Sequence, residues 1–422
     1  MIESLSTDQA DFIIRSSASQ FPSLPSETVS LASIPHRILI EDVMADRDFP
    51  PYDRVAQDGI AIDSSQFNAG VRSFQVQSSQ LAGAPQSILI SPEFCIEVTT
   101  GSVLPQRADS VIPIEKYQVS KRVVTVMSDF GIRAWQNVHR CGSDAKKGSL
   151  LIKAGTNLKA PHLGVLAAIG LTELKVQGKP RVSIINTGDE LVDIKDSPKI
   201  HQVRSSNGIA LQGLLSSFGF TECRLEVLPD SAFDRLDRMR FALKHSDVVL
   251  ITGGISAGIA DFVASALADL GVKKLFHGIN IKPGKPLWYG VGDAGKIVFG
   301  LPGNPVASLI CARRFVIPAL RWRLGLQQLP ILKAKLKETV SINDSRTVFL
   351  PVRVSLSTDG QWLASPLPVN GSGDLVSLAN SDGFLELKAE TKEFQKGDFQ
   401  SLYFWSSLED QRGGRDCEQS NN

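Results

Sequence analysis

Between residues 180 and 319, short apolar runs alternate with stretches of helical spacing. Arg181–Asn186, Cys223–Leu228, Val248–Ile251 and Ile297–Phe299 have the length and composition of buried strands. Asn207–Phe218, Ala232–Lys244 and Phe262–Leu270 space their apolar positions as helices do, the first of them stopping at Gly219. This alternation predicts a parallel, doubly wound α/β domain with Pro318 marking its end. The flanks read differently. Residues 64–137 carry short alternating runs, such as Ser73–Gln77 and Val119–Val126, separated by Gly, Pro and Asn, which is a β pattern. Residues 330–408 return to short β runs such as Thr347–Val354. Residues 1–45 have helical character, interrupted by Pro and Ser between Phe21 and Ser26, and Pro161–Gly170 predicts a short amphipathic helix. Residues 46–62 are dense in turn formers, His139–Gly155 reads as a polar loop region, and the polar tail from Glu409 predicts disorder.

Composition narrows the classes. A chain of 422 residues has room for about two to four domains. A net charge of +1 removes any general electrostatic case for nucleic acid or an anionic membrane, so an anion site has to be local. The N-terminus lacks the basic segment and apolar core of a signal peptide, and no apolar run approaches membrane-spanning length. Five widely spaced cysteines, with no Cys-x-x-Cys pair, argue against a zinc site or a disulfide framework and for a reducing cytoplasm.

Candidate chemistry lies in two glycine-rich loops that each follow an apolar strand. Gly253, Gly254 and Gly258 let the backbone after Val248–Ile251 turn tightly and approach a ligand. Gly300–Pro305 joins Ile297–Phe299 to a helix, with Pro305 suited to its first turn. Between them Lys282 and Lys285 sit in a proline-stiffened loop. Taken singly, each loop is an ordinary βα turn. Together they predict an anionic, phosphorylated ligand held at the carboxyl ends of neighbouring strands. Acids beside glycines, at Asp58, Asp144, Asp189, Glu190 and Asp261, are each readable as turn formers or caps. Collected around phosphate they suit a divalent cation such as magnesium.

Other patterns lead away from function. Gly290–Lys296 nearly matches a phosphate-loop pattern but lacks the Ser or Thr that holds magnesium, and it runs into a strand; a hairpin turn near Asp293 is the expectation. No Gly-x-Gly-x-x-Gly supports a nicotinamide dehydrogenase, and the scattered histidines form no spaced pair. Arg313-Arg314 and Arg321–Arg323 read as a solvated helix face rather than a nucleic-acid groove.

Several segments, in order, resemble the MoeA molybdopterin molybdenumtransferases, a family that includes the E domain of gephyrin. They are Asp58-Gly59-Ile60-Ala61, Thr99–Pro105 with Ala108-Asp109, and Arg140–Asp144. Asn186–Leu191, Asn207, Gly253–Gly258 with Asp261, Lys282–Pro286 and Leu301–Pro305 follow. Weaker likeness continues through Arg346 and Gly371-Ser372-Gly373. The resemblance implies an α/β multi-domain fold. Residues 1–48 and 139–178 would form a helical and linker first domain, interrupted by a β-rich insertion at 49–138. A doubly wound molybdopterin-binding domain at 179–328, a C-terminal β-barrel at 329–408 and the tail 409–422 would follow. It also implies a reaction: adenylylated molybdopterin loses AMP and receives molybdate, with Mg2+ in support. Asp58, Thr100, Asp144, Glu190 and Asp261 would be catalytic, with Asp58, Glu190 and Asp261 holding the metal. Gly253, Gly254, Ser256, Gly258, Lys282, Lys285, Pro302, Gly303, Asn304, Pro305, Ser308, Arg346 and Ser372 would bind substrate. The implied assembly is a homodimer whose active site is completed by Asp58 and Thr100 of the partner subunit, and other molybdenum cofactor biosynthesis proteins are implied partners. One segment departs from the family's usual Asn-Ser-Ala-Met-Asp-Gly-Tyr-Ala: here it reads Arg54-Val55-Ala56-Gln57-Asp58-Gly59-Ile60-Ala61. Glu97-Val98-Thr99 likewise replaces Arg-Ile-Met. The departure leaves an alternative open, a non-catalytic homologue that binds molybdopterin or a partner protein as a carrier or scaffold.

Overall fold

The computed structural model describes residues 5–21, 23–34, 37–228, 232–254, 262–368, 370–371 and 373–407. It divides into two compact units, Met1–Pro25 with Gln177–Asn422, and Ser26–Val176.

The first unit is built on a six-stranded sheet in the order Cys223–Leu228, Val182–Thr187, Val248–Thr252, Lys296–Leu301, Trp288–Gly292, Lys273–His277. The first four strands are parallel, and every residue of Val182–Thr187 and Val248–Thr252 is buried, as continuous apolar runs covered on both faces should be. The sheet is not wholly parallel, however. Trp288–Gly292 runs antiparallel to both neighbours, and Gly290–Lys296 is the hairpin into Lys296–Leu301, with a tight turn at Asp293–Gly295. Helices Asn207–Ser217, Ala232–His245 and Phe262–Asp269 connect the parallel strands.

Three expectations are corrected. Residues 1–45 are not broadly helical: one helix, Thr7–Ala18, is followed by strand Ser26–Ser30 and short turns. That helix buries Ala10, Ile14 and Ala18 in the same core as Leu211, Phe299 and Phe315. Pro318 does not end the domain. The helical run from Pro305 continues to Arg323 through a π-type widening at Ala312–Val316. Pro318 falls in the turn just after it, where a missing N–H is tolerated. Nor do the arginines line a solvated face, because Arg313, Arg314 and Arg323 are buried. The widened turn rotates Arg313 and Arg314 inward toward partners remote in sequence.

Strands Leu332–Leu336, Thr347–Leu356, Trp362–Pro366, Gly383–Leu387 and Phe399–Phe404 pair in a ring, forming a closed five-stranded barrel. Ile281–Lys282 adds to it in parallel against Thr347–Val348, so the lysine loop is anchored on the barrel.

The second unit contains a six-stranded sheet, ordered Ser110–Pro113, Gly59–Ile62, Phe94–Val98, Ser73–Gln80, Val123–Val126, Tyr117–Ser120. Gly59 sits where a Cβ would lie 1.9 Å from the Ile112 carbonyl oxygen, so only glycine lets the two strands approach. Its remaining part, residues 26–48 and 139–176, is mostly strands with one helix, Ala160–Ala168, around Ile34, Leu39, Leu158 and Val176. No described helix is long and apolar enough to cross a membrane.

Candidate active site

Three loops leave the sheet at the carboxyl ends of adjacent parallel strands: Gly188–Glu190 after Val182–Thr187, Gly253-Gly254 after Val248–Thr252, and Pro302–Asn304 after Lys296–Leu301. From the first strand the chain turns to one side of the sheet, and from the second to the other. Open α/β sheets form a ligand crevice at this divergence. Here it is a cavity of about 970 Å3.

Its walls follow from close backbone packing. Gly253 has φ +90°, and a Cβ there would lie 2.2 Å from the Thr187 carbonyl oxygen. Gly303 brings its Cβ position within 3.5 Å of the Gly253 Cα, so the two glycine loops lie against one another. Asn207 ties them, since its Nδ2 donates to Thr252 Oγ1 at 2.9 Å and to the Gly303 carbonyl at 2.7 Å. Asn186, almost wholly buried in the floor, donates to Ser205 Oγ at 2.8 Å. Replacing Gly253 with Ala is expected to cost about 1–3 kcal/mol through the clash and the positive φ. It should also weaken ligand binding, because the loop has to shift. Thermal melting and ligand titration check this, and unchanged values in both would remove Gly253 from the wall.

Of the residues selected from sequence, Glu190, Gly253, Gly254, Pro302, Gly303, Asn304 and Pro305 line this cavity. Ser256, Gly258, Asp261 and Ser372 lie outside the described residues. Ser308 is fully buried on the helix behind Pro305. Pro286 reaches the cavity lining, whereas Lys282 and Lys285 are exposed on the same loop beyond it. Lys282 Nζ lies 3.2 Å from Asp344 Oδ2. Arg346 grips the same carboxylate with Nε at 2.8 Å and Nη2 at 2.7 Å. The Arg346 hydrogen bonds, joined by Lys282, hold the Asp344 carboxyl well below the usual carboxylate range. A depressed folded value contributes stability above the unfolded value and loses it as pH falls through the folded one. Asp344→Asn should therefore lower the melting temperature at neutral pH. The gap should persist down to about pH 4 and close below it. A gap independent of pH would contradict the pairing.

The sequence reading missed two contributors. Arg204 brings a cation to the lining from the short exposed strand Val203–Arg204, with no local signal to mark it. Asn207 was noted only within the family likeness, and its double hydrogen bond depends on two loops remote in sequence.

In the second unit, Asp58 is exposed at the head of strand Gly59–Ile62. Its Oδ1 accepts from the Thr100 backbone N–H at 2.6 Å and from Thr100 Oγ1 at 2.8 Å, which lowers the carboxyl from its ordinary value. Asp144 is exposed in the loop 140–145, which bonds back to Phe49 and Pro50. The altered segment explains itself in part. Val55 and Ile60 are core residues, so apolar side chains suit both places. Among the described residues no group of three His, Cys, Asp or Glu side chains stands ready to hold a metal.

Comparison with known proteins agrees with this architecture. The chain matches the MoeA N-terminal region (domain I and II) over residues 5–170. It matches a probable molybdopterin binding domain over 183–322 and the MoeA C-terminal region (domain IV) over 333–399. It is 37% identical over 386 residues to a molybdopterin molybdenumtransferase of Synechocystis, covering 91% of this chain and 96% of the relative. A Staphylococcus aureus molybdopterin molybdenumtransferase is 29% identical, with 90% of this chain and 91% of the relative covered. The crystal structure of a molybdopterin biosynthesis MoeA protein from Pyrococcus horikoshii superposes with a TM-score of 0.78 at 30% identity, covering 96% of this chain and all of that one. With all three regions present in order and relatives alike along nearly the whole length, the chain belongs to the MoeA family of molybdopterin molybdenumtransferases.

Proposed function

We propose that this chain takes adenylylated molybdopterin, releases AMP and inserts molybdate into the dithiolene, in a magnesium-dependent reaction. The observation that carries this is the large cavity at the carboxyl ends of the parallel strands, walled by two interlocked glycine loops and carrying the carboxylate of Glu190. Backbone N–H groups of such loops suit phosphate oxygens. Magnesium needs only one or two carboxylates when substrate phosphates complete its shell. Glu190 in the lining fits that demand, with Asp261 as its companion outside the described residues. The cation would neutralise charge on the phosphoanhydride during cleavage. The chain's own groups hold the pterin between the glycine loops, orient the phosphates and aim a carboxylate at the reacting oxygen.

The reading includes a homodimer completed by Asp58 and Thr100 of the partner subunit. Asp58 supports it, because Thr100 occupies only Oδ1 and leaves the exposed Oδ2 free of described partners. The direct test is molybdenum insertion by purified protein supplied with adenylylated molybdopterin, molybdate and magnesium. No AMP release and no active cofactor would end the proposal. If the site is shared, mixing inactive Asp58→Ala and Glu190→Gln proteins should restore activity through hybrid dimers. No recovery from well-exchanged mixtures would confine each site to one subunit.

A further inference from the structure

Arg313 and Arg314 are neighbours in sequence, and both are buried, at 8% and 6% exposure. Their surroundings differ. Arg314 is matched by Asp11 and Glu386. Arg313 has no carboxylate partner among the described residues. Its Nε donates to the Phe404 carbonyl at 2.5 Å, and its guanidinium lies over the rings of Phe218 and Tyr403, at 4.7 and 5.5 Å. Its terminal nitrogens donate to no described residue. Burial pushes Arg313 down to about 10, and Arg314 and Arg321 add repulsion. A buried cation without a counter-charge is costly unless something supplies one.

Arg313 lines a cavity of about 380 Å3 that shares no residue with the molybdopterin cavity. Arg15 and Arg321 line it as well. Among the described residues, Arg321 is steered only by the Gln327 carbonyl. Among the described residues, Arg15 makes no ion pair. Asp11, the single acid in this lining, is already held by both terminal nitrogens of Arg314 at 2.8 Å. Phe12 and Trp322 supply aromatic surface, while the Tyr403 ring is already stacked on Phe384 and faced by Arg313. The volume suits a small ligand. Guanidinium forks match phosphate and carboxylate, and aromatic walls match a flat apolar body.

We propose that this cavity is a second ligand site, which binds a small aromatic compound bearing a phosphate or carboxylate group, its oxyanion held by Arg313, Arg15 and Arg321 and its ring by Phe12 and Trp322. The site stands on the arginine cluster and does not depend on the molybdopterin reading.

The test uses the full chain, titrated at low salt with phenyl phosphate, benzoate and inorganic phosphate, by calorimetry and by tryptophan fluorescence. Phenyl phosphate, benzoate or both should bind, and affinity should fall as salt rises. Arg313→Met should weaken binding about tenfold or more. Trp322→Phe should remove the fluorescence response. Should Arg313→Met fail to fold, the more exposed pair Arg15→Gln with Arg321→Gln supplies the same test. Binding by only one of the two aromatic probes, with this arginine dependence, supports the site and assigns the oxyanion. No binding by any probe overturns the proposal, as does affinity unchanged in the arginine variants. Inorganic phosphate binding as tightly as phenyl phosphate overturns the aromatic half.

Discussion

Replacing Glu190 with Gln is expected to lower the single-turnover rate of AMP release about 10²–10⁴-fold, while molybdopterin affinity changes far less. The substitution keeps the shape and removes the charge. Glu190 leaves the buried strand Val182–Thr187 by way of Gly188, and the strand is hydrogen-bonded on both edges, so the carboxylate is delivered to the cavity from a rigid base. Gly188 permits this: a Cβ there would meet the Glu190 carboxylate at 2.6 Å. A group that positions a cation or the attacking oxygen acts mainly in the transition state, so its loss appears in turnover rather than in binding. If Glu190 only shaped the loop, stability would fall and the folded remainder would keep its rate. Melting temperature and AMP release from the same preparation separate the two, and full AMP release would remove Glu190 from the catalytic set.

Arg314→Met is expected to destabilise the first unit by about 3–5 kcal/mol, the cost of leaving buried charges unpaired. Arg314 joins three elements. Nη1 and Nη2 bind both oxygens of Asp11 on the N-terminal helix at 2.8 Å, and Nε binds Glu386 Oε2 on the barrel at 2.9 Å. Glu386 also accepts from Tyr403 Oη at 2.9 Å. Burial alone would raise the Glu386 carboxyl, but Arg314, with Lys388 and Tyr403, holds it below its ordinary value. In wild type that stability is present above the unfolded glutamate value and is lost as pH falls through the folded one. In the variant Glu386 keeps only Lys388 and Tyr403, so burial favours its protonated form more strongly. The deficit should therefore be largest at neutral pH and narrow as pH falls toward and past about 4.3. Denaturant unfolding across this range measures it. Arg314→Met combined with Glu386→Met should be less damaging than Arg314→Met alone, and equal damage would show that the pair is not the cause.

The two glycine loops are legible in the sequence because their reason is local. A strand followed by glycines at positive φ has few alternatives, and Gly253 and Gly254 take φ values of +90° and +65°. Glu190 is legible for the same reason, as a carboxylate just beyond a buried strand. The arginines of residues 313–323 are not. Charge pattern alone sends them to solvent, whereas a π-type widening and an acid 303 residues away in sequence bring Arg314 inside. Lys282 shows the same limit. The proline-stiffened loop is evident in sequence, but the Asp344 and Arg346 that meet it arrive on the barrel, through a parallel pairing with Thr347–Val348.

By itself the sequence determined the parallel strands of the α/β domain, which loops carry glycine for close backbone approach, and which family the order of motifs resembles. Each rests on short-range sterics or apolar periodicity, which act within a few residues. Only the tertiary structure decided that Trp288–Gly292 turns antiparallel, that Thr7–Ala18 packs into the α/β core, that Asn207 locks the glycine loops together, and that Arg313 is buried with no counter-charge among the described residues. These depend on partners tens to hundreds of residues away, and folding brings those partners together through burial of the shared core, for which no local pattern carries a signal.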